Sequence, residues 1–112
     1  KERHMNLNDW AKEIHNNSKA HGWWDEPRVF GEIVALCHSE LSEALEEYRN
    51  GKPMIYCNDG SDKPEGIAVE MIDCMIRILD WLGSLDIDVE FLLDLKHDYN
   101  KTRPYKHGGK VI

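Results

Sequence analysis

With 112 residues, 41% of them hydrophobic and 31% charged, the chain is long enough for one domain around one modest core and too short for two. A formal charge of −7 argues against a long polyanion such as duplex DNA as partner. No apolar run approaches the ~20 residues that span a bilayer, and no leader resembles a signal peptide, so a cytoplasmic protein with no membrane partner is expected.

Residues 1–5, "KERHM", read as an artificial leader ahead of a native start at Met5, which leaves residues 6–112 as a single helical domain. The first predicted helix covers about 8–21, with Leu7, Trp10, Ala11 and Ile14 at helical spacing. "GWWDEP" breaks it. The second helix covers about 28–50 and ends at Asn50-Gly51. Turn-rich "GKPMIYCNDGSDKPEG" follows as a loop, with room for a short extended piece at "MIYC". A third helix is expected over about 64–83, with Pro64 in its first turn and Gly83 past its end, and a fourth over about 87–102, beginning near Asp88 and stopping before Pro104. No strand-like alternation of useful length occurs. The expected fold is all-α, a four-helix bundle. Cys37, Cys57 and Cys74 lack metal-type spacing and read as free thiols, with Cys37 and Cys74 inside apolar helical patterns.

At about 100° per residue, the second helix gathers Phe30, Ile33, Val34, Cys37, Leu41, Ala44, Leu45 and Tyr48 on one face, edged by a stripe of Glu40, Glu43 and Glu47. The third helix is apolar over about two-thirds of its circumference, and Glu70, Asp73, Arg77 and Asp80 share the remaining strip. A helix this apolar is expected to be buried nearly all round, so its acids should line a cleft or interface. Glu40 with Glu43, and Glu70 with Asp73, are i, i+3 pairs that each project from one face. Brought together, four carboxylates would raise one another's pKa values unless a cation neutralised them, and all-oxygen donors suit Mg²⁺ or Mn²⁺. The alternative is a solvated helix face, with Arg77 paired to Asp73 one turn away.

Glu40-x-x-Glu43 followed by Glu70-x-x-Asp73 resembles the signature of the MazG-like all-α nucleoside triphosphate pyrophosphohydrolases, a superfamily that also includes dimeric dUTPases and phosphoribosyl-ATP pyrophosphatases. "KHDYNKTRPYKHGGK" is similar to the C-terminal segment of small MazG-like proteins, so the resemblance spans about residues 7–110. Ser39 departs from the pattern, since many members carry two adjacent acids there. The resemblance implies cleavage of a nucleoside or deoxynucleoside triphosphate between its α and β phosphates, with Glu40, Glu43, Glu70 and Asp73 holding Mg²⁺ and one glutamate accepting a proton from water. It also implies nucleotide contacts from Lys96, Asn100, Arg103 and Lys110.

The tail agrees in charge. From Lys96 to Lys110 five Lys/Arg face one acid, a local +4 that leaves −11 on the remainder. The alternative for this tail is a frayed basic terminus. Gly108-Gly109 would let the chain fold closely over a ligand. Adjacent Trp23 and Trp24 either offer a ring for base stacking or cap the bundle, and His38 is either a bystander or a support for a ligand. A homodimer or homotetramer is expected, because so apolar a third helix leaves surface for a short bundle to bury. Two rivals remain: a non-enzymatic dimerisation module with interfacial acids, and a di-iron carboxylate bundle, which normally uses Glu-x-x-His pairs absent here.

Overall fold

The computed structural model describes residues 4–105. Four helices follow in chain order: α1 Leu7–Ala20, α2 Phe30–Arg49, α3 Ile67–Ser84 and α4 Val89–Lys101. Local chemistry fixes their starts. The Asn6 side chain accepts from the Asp9 amide at 2.8 Å while Asp9 accepts from the Asn6 amide at 3.1 Å, a reciprocal capping box for α1. Asp88 caps α4 by accepting from the Phe91 amide at 3.0 Å.

The third helix begins at Ile67, later than expected, because residues just before it are committed elsewhere. Tyr56 and Glu65 exchange backbone hydrogen bonds of 2.9 and 2.8 Å as an isolated antiparallel bridge. Gly66 then turns the chain at φ +123°, where a side chain would overlap the Met54 carbonyl. Pro64 is therefore outside the helix, and "MIYC" supplies the bridge.

α2 and α3 run antiparallel. Phe30 packs against Trp81 with ring centroids 4.7 Å apart and planes tilted by 45°, Arg77 bonds Glu40, and Glu43 approaches Glu70 at the other end. α1 also packs on α3 and runs antiparallel to it, with His15 against Asp80 and Ala11 against Gly83. A β-carbon at Gly83 would lie 2.5 Å from the Ala11 carbonyl oxygen, so the helices meet backbone to backbone there. The core is small: Ala11, Ile33, Ala44, Cys74 and Leu79 are its buried hydrophobic residues.

One expectation about packing is corrected. α3 is not buried nearly all round, because α1 and α2 cover only part of it: Met71, Met75 and Ile78 form an exposed i, i+4, i+7 stripe. Leu41, Leu45 and Tyr48 form the same kind of stripe on α2. The described chain is all-α as expected, its four helices packed as a bundle in which α4 rests mainly on α1 and buries no residue fully. Asn8 makes that joint, accepting from the Val89 amide at 2.7 Å and donating to Asp88 at 2.9 Å. The radius of gyration, 16.8 Å, accordingly exceeds the ~13 Å of a compact chain this long. The cysteines are free, Cys74 buried, Cys37 half-buried and Cys57 exposed.

Candidate functional site

The α2–α3 seam brings acids from both helices to one place. Glu40 and Glu43 project from one face of α2 and Glu70 from the facing side of α3, and one carboxylate oxygen of each lies within 4.8 Å of the other two. Glu40 is buried, at 7% exposure, Glu70 is half-buried and Glu43 is exposed, so the trio opens to solvent on one side. Desolvation, then the Glu43 charge and neighbouring Asp73, push the Glu70 carboxyl up to about 7.

Asp73 stands beside Glu70, close enough to share its proton, but lies outside the trio. Its i, i+3 offset puts it one turn along, at the floor of a neighbouring cleft. Glu47 leaves the acidic stripe because Tyr56 donates a 2.7 Å hydrogen bond to it, which pushes the Tyr56 hydroxyl up to about 12. Ser39 donates to Glu43 at 3.4 Å, a weak contact from the position where a second acid is missing.

Arg77 takes its partner from the other helix. Its Nε donates to Glu40 Oε2 at 2.7 Å across the seam, so the guanidinium pairs with Glu40 and not with Asp73. The other end of the α3 polar strip is equally committed. Asp80 accepts from the Trp24 indole at 3.0 and 3.2 Å, and its Oδ1 lies 2.8 Å from His15 Nδ1. His15 also meets Trp24 edge to face at 5.0 Å.

This three-way clamp separates the two tryptophans. Trp24 is half-buried and held against α3, while Trp23 is 50% exposed at the rim of a cleft of about 480 Å³. Trp23 is flanked by two guanidinium groups, Arg28 at 5.1 Å and Arg77 at 5.9 Å from its ring centroid. Asn17, Ser18 and His21 from the end of α1 line the same cleft, which reaches Glu40 and Asp73. Sequence reasoning missed Arg28 and these α1 residues. Their polar types are unremarkable on an exposed helix end, and only the α1–α3 crossing brings them to the acids.

The basic residues of α4 are elsewhere. Lys96 and Arg103 flank the Tyr99 ring at 5.2 and 5.9 Å, Asn100 is exposed, and none of the three lines the cleft. Lys110 and the Gly108-Gly109 pair lie outside the described residues. His38 is exposed on α2.

The donor set fits a hard divalent cation. All three groups offer carboxylate oxygens, the donors that Mg²⁺ and Mn²⁺ take, and these oxygens lie within 4.8 Å of one another. A cation would also relieve the crowding that raises Glu70. No family model, curated protein or solved structure matches this chain.

Proposed function

We propose that the protein is a Mg²⁺-dependent nucleoside triphosphate pyrophosphohydrolase of the MazG-like kind, with Mn²⁺ as an alternative ion, serving nucleotide house-cleaning in the cytoplasm. The observation that carries the reading is the convergence of Glu40, Glu43 and Glu70 from two antiparallel helices, with their oxygens within 4.8 Å of one another. The Glu-x-x-Glu and Glu-x-x-Asp spacing supports it independently.

When bound, the ion would neutralise phosphate charge and lower the pKa of an attacking water. Glu40, Glu43 and Glu70 would hold it, with Asp73 extending the anionic wall toward the cleft. A carboxylate of this group takes a proton from water as the water oxygen bonds to the α-phosphorus, and the bond from that phosphorus to the α–β bridging oxygen breaks to release pyrophosphate. The cleft would take the nucleoside, with Asn17, Ser18 and His21 offering polar contacts and Trp23 an exposed ring.

A homodimer, or a dimer of dimers, belongs to this reading. The apolar stripes on α2 and α3, and Leu92, Leu95 and Tyr99 on α4, are exposed in the single chain, and a second copy would cover them. These same stripes favour a second reading, a non-enzymatic helical dimerisation module whose acids serve the interface.

Product analysis separates the two. Purified protein with Mg²⁺ and a panel of standard and modified NTPs and dNTPs should yield monophosphate and pyrophosphate, and Glu43→Gln and Glu70→Gln should abolish the yield. Diphosphate plus phosphate would refute the cleavage position. No turnover of any nucleotide, with dimerisation disturbed in both variants, would establish the interaction module instead.

A further inference from the structure

Arg77 is placed unusually for a surface strut. It lies on the polar strip of α3 with two acids within one turn, Asp73 before it and Asp80 after it. Asp80 is engaged by His15 and Trp24, and Asp73 sits beside Glu70. Arg77 instead crosses the seam to Glu40, the most buried carboxylate of the trio. Its side chain is 29% exposed and lines the cleft floor, with its guanidinium 5.9 Å from the Trp23 ring. Among the described residues its hydrogen bond uses Nε alone, which leaves both Nη groups for a ligand in the cleft.

Resting on the proposed function, we propose that Arg77 is a positioning residue with two partners. It is the counterion of Glu40 in the metal-free protein, and when a divalent cation takes up the carboxylates it turns its guanidinium to the phosphate chain of the bound nucleotide. The physical argument is charge economy in a half-buried groove. A buried Glu40 needs a positive neighbour, and Arg77 supplies it. A cation held by the trio satisfies the same need, and the guanidinium is then released at the boundary between carboxylates and cleft. There a planar fork of donors suits phosphate oxygens. With the described basic residues of α4 remote from the cleft, Arg77 and Arg28 are the cations lining it.

The roles predict opposite effects of one substitution. Calorimetric titration would compare parent, Arg77→Gln and Arg77→Lys, first with Mg²⁺ or Mn²⁺ alone and then, with Mg²⁺ present, with a non-hydrolysable α,β-methylene nucleoside triphosphate. Arg77→Gln should bind the ion alone about threefold to tenfold tighter, since a competitor for Glu40 is gone, and bind the analogue at least about tenfold more weakly. Loss of a mere strut would loosen the groove and weaken ion binding, and that result would overturn the inference, as would unchanged analogue affinity. Should Arg77→Gln fail to fold, Arg77→Lys decides. It keeps the charge near Glu40 but lacks the fork, so its analogue affinity should fall several-fold, and parent-like affinity would refute the role. A parent protein that binds no divalent ion overturns both this inference and the proposed function. A parent that binds the ion and cleaves nucleotide, with variants indistinguishable from it, overturns this inference alone.

Discussion

The α2–α3 groove and the segment around Tyr99 differ in how their charged side chains are held. In the groove each acidic side chain has a defined neighbour: Glu40 has Arg77, Glu47 has Tyr56, Asp80 has Trp24 and His15, and Glu43 and Glu70 face each other. By contrast, Lys96 on α4 and Arg103 just past its end flank the Tyr99 ring, and Lys101 pairs with Asp98 at 3.4 Å, on a helix that buries nothing fully. Among the described residues the seam gathers three carboxylates, and Arg28 and Arg77 are the Lys/Arg side chains that line the adjoining cleft. The lesson is one of order: the acids of the seam are fixed by helices packed on one another, and the side chains carried by α4 depend on where that helix comes to rest.

The largest expected effects separate these two regions directly. Glu43→Gln should lower turnover by about a hundredfold or more, ~2.7 kcal/mol of transition-state stabilisation. Lys96→Ala should leave kcat and KM within about twofold, because its side chain lies away from the cleft. Steady-state kinetics at saturating Mg²⁺ checks both. Equal losses in kcat would mean that α4 belongs to the catalytic groove and that the contrast is wrong.

The next effect concerns what covers the apolar surfaces. Leu92→Glu combined with Leu95→Glu places two charges on an exposed face of α4. If a second copy packs there, the pair should weaken association by about a hundredfold or more, since each desolvated unpaired charge is costly. Sedimentation velocity measures it. Unchanged mass with unchanged stability would leave α4 outside any interface and turn attention to the stripes of Leu41, Leu45, Met71, Met75 and Ile78.

How far this contrast was legible follows from the ranges involved. The four helices, the i, i+3 acid pairs and the polar strip of α3 are local periodicities, and they emerge from a helical wheel without any tertiary information. Asp88 as the start of α4 is equally local, a capping side chain. The pairing of Arg77 with Glu40 is not legible locally, because its i−4 neighbour Asp73 is near in sequence, whereas Glu40 is 37 positions away. The Trp24–Asp80 clamp spans 56 positions and was invisible for the same reason. The start of α3 was placed too early because Pro64 suits a first helical turn, and nothing local revealed that Glu65 is bound to Tyr56.

A smaller effect tests whether the groove is under electrostatic stress. Glu70 ionises at about 7 in the folded chain, well above the ordinary carboxylate range near ~4.3 of an unfolded one. Between those values the folded state holds more protons, so stability falls as pH rises through this window and the penalty is complete above it. Glu70→Gln should therefore stabilise the ion-free protein at pH 8 by about 1–2 kcal/mol. That is less than the full shift implies at ~1.4 kcal/mol per unit, because the trio is open to water on one side. At pH 4 the gain should vanish. Urea denaturation at the two pH values, with chelator present, decides it, and a variant less stable than its parent at pH 8 would mean that the groove is not strained.

The smallest effect lies within one stripe of α2. Glu43 and Glu47 are one turn apart on the same edge, yet Glu43 reaches the trio and Glu47 is held by the Tyr56 hydroxyl at 2.7 Å. That bond, which favours the neutral phenol, is the main cause of the rise to about 12. Glu47→Gln removes the charged acceptor, so the Tyr56 transition should move down toward ~10, visible in ultraviolet absorbance on alkaline titration. Ion affinity should stay within about twofold of the parent, against a loss of tenfold or more in Glu43→Gln. The two variants differ by four positions and share chemistry, helix and charge, so only the third dimension distinguishes them. If Glu47→Gln lost the ion as severely as Glu43→Gln, the Tyr56 contact would not be diverting Glu47, and the site would extend a turn further along α2.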